Sequence, residues 1–174
     1  MGEQVEQVDE RDRVVAVVDR AEAVVDRAEA VRERRLHRVA TIVCRDGDGR
    51  FLVHRRPDHA SRFPGQYNWM LGGAVGVGES YEEAAARELA EELGVRAAPR
   101  FVLKFLCDGV ISPYWLGLHE AVVTTAVRPD PGEVAWFGWL TEPELDDLVR
   151  GREFIPDARE AFDRYRALGS ARRP

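Results

Sequence analysis

Lysine is almost missing from this chain: of 25 basic residues only Lys104 is a lysine, a bias that fits codon usage better than a phosphate-binding purpose. Cysteine is scarce, with two in 174 residues, so there is no disulfide framework. Cys44 and Cys107 both sit in apolar, strand-like runs and read as buried, reduced thiols of a cytoplasmic protein. No apolar run of about 18 residues occurs, and the N-terminus lacks a basic stretch followed by an apolar one, so neither a membrane span nor a signal peptide is expected. Met1-Gly2 opens like an acylation signal, but Glu6 stands where Ser or Thr is required. The 15 glycines and 9 prolines are too few for a collagen-like or low-complexity chain. A basic excess is absent too: the net charge of -6 excludes a broad electropositive surface for duplex nucleic acid, while leaving room for a local basic pocket.

What is present is 45% hydrophobic and 32% charged, the balance of one soluble domain with a terminal extension, long enough to bury its own core. The segment Val17 to Ala23 repeats unchanged as Val24 to Ala30. Its period places Val17, Val24 and Val31 on one helical stripe and predicts a helix over roughly Asp19 to Arg35. The favoured arrangement puts a hairpin before it, Val5 to Val8 and Arg13 to Val18 around Asp9-Glu10-Arg11-Asp12. Two copies are too few for a solenoid, so the repeat reads as a tandem duplication that lengthened a surface helix.

From Arg38 a β-branched run stops at Asp46-Gly47-Asp48-Gly49 and resumes at Phe51 to Val53, which is a hairpin. Arg55 to Gln66 is a loop, and Tyr67 to Leu71 reads as a strand entering Gly72-Gly73. Ser80-Tyr81-Glu82-Glu83 is a capping box that opens a helix ending at Gly94. Arg100 to Cys107, Tyr114 to Thr125 and Val134 to Leu140 look like strands. Thr141 to Glu144 is a second capping box leading a helix to about Val149, and Pro156 starts a final amphipathic helix. Interleaved strands and helices predict an α/β (α+β) domain with the sheet between helices.

The chemistry is concentrated in the first of these helices. Glu88, Glu91 and Glu92 are spaced i, i+3 and i+4, so three carboxylates leave one face within a turn, where like charges repel. On an arbitrary helix that would be a solvated face. Here the glycine-rich stretch Leu71 to Glu79 lies immediately upstream, where backbone can approach a ligand and carbonyls can face a cation. Three carboxylates and a carbonyl suit Mg2+ or Mn2+, which keep open positions for water and substrate phosphates.

Gly73, five residues, Glu79, seven residues, then Arg87-Glu88-Leu89-Ala90-Glu91-Glu92-Leu93-Gly94-Val95 matches the Nudix box at every defining position. Chance would produce such a match with a probability on the order of one in a billion. The resemblance implies the Nudix fold, a mixed sheet sandwiched between helices. It also implies metal-dependent hydrolysis of a nucleoside diphosphate linked to another moiety. It assigns Glu79 and Arg87 to a pair that orients the helix, and Gly73, Glu88, Glu91 and Glu92 to the cations. Residues 1–36 are then an N-terminal extension and 37–174 the Nudix hydrolase domain.

A broader similarity links Val8 to Asp12, His37-Arg38, Arg55-Arg56, Phe63-Pro64-Gly65 and Phe154 to Asp157 to the Nudix branch related to type I isopentenyl diphosphate isomerase. That isomerase needs a cysteine and a histidine where this chain has Gly72 and Ala74, so hydrolysis is favoured over isomerisation. His37 matches a metal-binding histidine of the isomerase, but a lone histidine more often serves a structural hydrogen bond. A third reading is a Nudix domain that only binds a nucleotide or metabolite, which the intact glutamates disfavour.

Outside the box, Glu133 follows a Pro/Gly turn at the start of a strand, where an extra acid would act as base or ligand and where an exposed turn residue would look the same. The general base is therefore either Glu88 or Glu133. Arg55 and Arg56 offer planar forks for a substrate phosphate, or surface ion pairs. Trp69, Trp115, Trp136 and Trp139 fall in expected strands, where core packing is favoured over base stacking. The implied partner is a small-molecule diphosphate, with no duplex nucleic acid and no membrane. A homodimer is compatible with the sequence.

Overall fold

The structure is a computed structural model that describes residues 4–19 and 35–171. It opens with the expected hairpin, in which β1 (Gln4–Val8) pairs antiparallel with β2 (Val14–Asp19). Asp9 closes the turn, accepting the Arg11 and Arg13 amides on Oδ1 and Arg13 Nε on Oδ2. The expected helix and most of the duplicated heptad fall on residues 20–34, outside the described residues; Val17, Val18 and Asp19 belong to β2.

The centre of the fold is β3 (Arg38–Arg45), followed by β4 (Phe51–Arg55), β5 (Tyr67–Asn68), β6 (Leu71–Ala74), helix α1 (Tyr81–Leu93), β7 (Arg100–Cys107), β8 (Tyr114–Val122), β9 (Trp136–Leu140), α2 (Glu142–Val149) and α3 (Pro156–Ala171). β3 runs parallel to β8, which pairs antiparallel with β7. On its other edge β3 meets β6 over Val39 to Ile42 and β4 only at Arg45↔Phe51. β4 carries β9 and β5, so the sheet is mixed.

Strand alternation divides the core between the two sheet faces. Ala40, Ile42, Cys44 and Leu52 pack with Ala84, Ala85, Leu89 and Leu93 of α1. Val43, Phe51 and Val53 pack on the opposite side with Leu145 of α2 and Ala158, Ala161 and Phe162 of α3. The α+β sandwich is therefore as expected. No described helix is long and apolar enough to cross a membrane.

Several boundaries differ from the sequence reading. Tyr67 to Leu71 is not one strand: the ladder breaks at Trp69-Met70, because Trp69 turns into the core and its Nε1 donates to the Ala158 carbonyl at 2.8 Å. β8 stops at Val122 rather than Thr125. β9 begins at Trp136, so Glu133 lies in a turn and not at a strand start. Trp136 is 47% exposed and meets Tyr67 edge to face, which removes it from the core. Both cysteines are buried free thiols as expected, and Cys44 lies beneath α1, the helix of the box.

Candidate functional site

α1 forms for local reasons. Ser80 accepts the Glu83 amide while the Glu83 carboxylate accepts the Ser80 amide, and Gly94 ends the helix in the left-handed region at φ 66°. The apolar face of Leu89 and Leu93 is drawn into the sheet, which aims Glu88 and Glu92 at the preceding strand.

Two glycines let that strand receive them. Gly72 has φ 144°, and an added Cβ would lie 2.0 Å from the Ala40 carbonyl oxygen; its N–H donates to Glu92 Oε1 at 3.0 Å. At Gly73 an added Cβ would lie 2.4 Å from Glu88 Oε1. The glycines thus admit β3 on one side and carboxylates on the other.

Arg87 ties the box together. Its Nε donates to Glu79 Oε1 at 2.9 Å and its Nη2 to Glu79 Oε2 at 3.0 Å and to the Ala74 carbonyl at 3.0 Å. Its Nη1 donates to Glu88 Oε1 at 2.6 Å and reaches Glu91 Oε2 at 3.4 Å. Glu79 also accepts the Gly76 amide at 2.8 Å, and the Arg87 guanidinium holds its carboxyl below the usual range.

Glu92 behaves oppositely. Burial and the neighbouring Glu88 charge push its carboxyl up to about 8, with Glu133 adding to the repulsion, against the Gly72 amide and Arg56. Among the described residues no three His, Cys, Asp or Glu side chains close around one point, and the positive charge between the carboxylates is Arg87. The donor set nevertheless fits a hard divalent cation: it is all oxygen, sits on one helical turn opposite bare glycine backbone, and includes a buried acid that burial and Glu88 push up despite Arg56.

These residues line a cavity of about 1090 Å³ that opens where β3 parts from β4. Gly73, Arg87, Glu88, Glu91, Glu92, Glu133 and Arg56 all reach it. Glu133 arrives by tertiary contact: the amides of Arg128 and Asp130 donate to the carbonyls of Leu93 and Glu92, docking the turn on the end of α1. Its side chain is 50% exposed, 3.3 Å from Arg56 Nη1. Arg56 is also held by the Arg62 carbonyl at 2.9 Å.

Arg55 does not join them. Alternation along β4 sends it away from His54 and Arg56, and it pairs with Asp58 at 2.6 Å, bracing the loop beneath Gly65. His54, which no sequence motif marks, lines the cavity as well; burial holds it at about 4 and its Nε2 donates to the Met70 carbonyl at 2.9 Å. Asn68 and Tyr114, which carry no local motif, also reach the cavity from distant elements, as does Asp157 from the Phe154 to Asp157 stretch. His37 is present there too, stacked on Tyr114 at 5.7 Å.

A NUDIX domain family model matches residues 35–159. Over 170 residues the chain is 42% identical to an uncharacterized Nudix hydrolase of Streptomyces coelicolor, covering 96% of this chain and 90% of that protein. It is 34% identical over 166 residues to one from Yersinia pestis, covering 92% and 84%. The crystal structure of DR0079 from Deinococcus radiodurans superposes with a TM-score of 0.77 at 28% identity, over 93% of this chain and 98% of that one. A MutT protein from Methanosarcina mazei shares the fold, with a TM-score of 0.65 at 20% identity over 77% and 95% of the two chains.

Proposed function

The chain belongs to the Nudix hydrolase family, and on that premise we propose that it cleaves a diphosphate linkage in a nucleoside diphosphate derivative or related small molecule, using Mg2+ or Mn2+, in the cytoplasm. The observation that carries this reading is the meeting, at one cavity, of three glutamates from one helical turn, the Gly72-Gly73 backbone and the Arg56 guanidinium. Residues 37–174 supply the catalytic domain and 1–36 the extension.

In this reading Glu88, Glu91, Glu92 and the Gly73 carbonyl hold the cation. When bound, the divalent ion neutralises charge on the phosphate oxygens and activates the attacking water. Glu79 fixes Arg87, and Arg87 keeps Glu88 in place through its 2.6 Å bond. Arg56 binds a substrate phosphate through its fork. Glu133, held by Arg56 and half exposed, takes the proton of the water; Glu88 is the weaker candidate for this role because its Oε1 is already committed to Arg87.

Isomerase chemistry is disfavoured. The cysteine it needs would fall at Gly72, where β3 leaves no room for a side chain, and burial pushes the thiols of Cys44 and Cys107 up to about 12.

The test is a panel of nucleoside diphosphate derivatives, dinucleoside polyphosphates, nucleotides and isoprenoid diphosphates, assayed with and without Mg2+. At least one compound should be hydrolysed only with metal, and Glu92→Gln should lower kcat at least about a hundredfold. Equal activity in excess chelator removes the reading, and catalytic formation of dimethylallyl diphosphate from isopentenyl diphosphate replaces it with the isomerase.

A further inference from the structure

We propose that Glu6, on the first strand of the N-terminal hairpin, is a positioning residue for the Glu79–Arg87 pair and through it for the carboxylates of α1. The Mn2+ and activity arms of its test rest on the reading above; the metal-free exchange arm does not.

The two oxygens of Glu6 are spent on two elements. Oε1 accepts the Gly78 amide at 3.0 Å, and Oε2 accepts Arg38 Nη1 at 2.9 Å. The neighbouring Val5 is buried and bridges Gly76. β1 therefore grips both ends of the turn Gly76 to Gly78, whose middle residue Val77 is 50% exposed and whose Gly78 sits at φ 73°. That turn has little packing of its own. From within, Glu79 accepts the Gly76 amide and receives both Nε and Nη2 of Arg87. Glu6 and Glu79 thus hold one turn by two of its amides, each with a charge-assisted bond.

Glu6 is itself held from behind. Arg38 donates from Nε to Asp12 Oδ1 and from Nη2 to the Asp12 carbonyl, both at 2.6 Å. Asp12 Oδ2 accepts the hydroxyl of Tyr81, the first residue of α1, at 3.2 Å, and also pairs with Lys104. The sole lysine of the chain thus belongs to a clasp that joins the hairpin to β3, α1 and β7. Val5 and Asp19 also line the cavity, so the hairpin is part of its wall.

The consequence lies in what Arg87 does when the turn loosens. Its Nη1 already contacts Glu88 and Glu91, so a guanidinium released by Glu79 shifts toward those carboxylates and competes there with a cation. Glu6 limits that competition by keeping Glu79 on Arg87.

The experiment uses the full chain with Glu6→Ala, alone and with Glu79→Gln. The readouts are hydrogen exchange of Arg87 Nε–H by NMR without metal, the Mn2+ dissociation constant by electron paramagnetic resonance, and kcat and KM on whichever panel compound is cleaved. Glu6→Ala should accelerate the exchange, weaken Mn2+ binding and lower kcat by about tenfold each, the scale of one lost charged hydrogen bond, with KM within about twofold. In the Glu79→Gln background the same substitution should change Mn2+ affinity and kcat by less than about twofold. Glu6→Gln, which keeps the side-chain volume and one acceptor, should give the same pattern at about threefold and serves if the alanine variant does not fold. Unchanged Arg87 Nε–H exchange, or equal losses in both backgrounds, overturns the proposal. A wild-type chain that hydrolyses nothing defeats the hydrolase reading and leaves this one to be decided by the metal-free exchange.

Discussion

Glu133 sits 3.3 Å from Arg56 on a turn whose backbone is pinned to the end of α1. With the backbone held there, rotation of the side chain is the shortest route from Arg56 to an attacking water. A base used in the transition state costs kcat when removed, so Glu133→Gln should lower kcat more than about tenfold with KM and Mn2+ affinity nearly unchanged. Steady-state kinetics read this directly, and a kcat within about threefold of wild type assigns Glu133 to the exposed turn instead.

His54 makes a second prediction at this scale. Burial holds its imidazole at about 4 against an ordinary 6.5, so between these values the unfolded chain takes up a proton that the folded chain refuses. Its contribution is intact above pH 6.5 and is lost as pH falls toward 4. From pH 7 to pH 5 that amounts to about 2 kcal/mol. Urea unfolding of wild type and His54→Gln at both pH values should show the drop reduced by about that amount in the variant; equal drops would place the titration elsewhere.

At the scale of elements, the β3–β6 ladder depends on Gly72. Its φ of 144° disfavours any side chain, and the nearest obstacle is backbone, the Ala40 carbonyl, which cannot rotate away as a side chain would. Gly72→Ala should cost about 3 kcal/mol or more, with strain and ladder opening acting together. Gly47, in the β3–β4 turn with nothing within 4 Å, is the control, and Gly47→Ala should stay within about 0.5 kcal/mol. Chemical denaturation of the two variants measures the contrast. α1 is the opposite kind of element, because its caps and apolar face are both contiguous in sequence and its two ends were legible before any tertiary contact was known.

At the scale of the whole molecule, Glu88, Glu91 and Glu92 crowd one helical turn with Arg87 set against the first two, so a cation bound there favours the folded chain. Mg2+ or Mn2+ should raise the melting temperature by mass action, about 2.7 kcal/mol at a hundred times Kd. The Gln variant at Glu88, Glu91 and Glu92 together should lose the shift in a thermal denaturation series. A shift equal to wild type would put the metal at another site.

What the sequence by itself determined is what neighbours in the chain encode. Periodicity and caps define α1, α2 and the two hairpins, and the spacing from Gly73 to Val95 defines the box, because a helical turn and a tight turn are closed by residues a few positions apart. What only the tertiary structure decided are meetings between distant segments. Arg56 rather than Arg55 enters the cavity because strand alternation assigns faces only once the sheet partners are known. Trp136 is exposed because β9, paired among the described residues with β4 alone, presents that side chain to Tyr67 at the surface. Glu133 reaches Arg56 at the cavity through a turn docked on the end of α1, and Glu6 reaches Gly78 through a hairpin folded back on the box. Such pairs carry no local periodicity, since their energies arise only when the chain closes on itself.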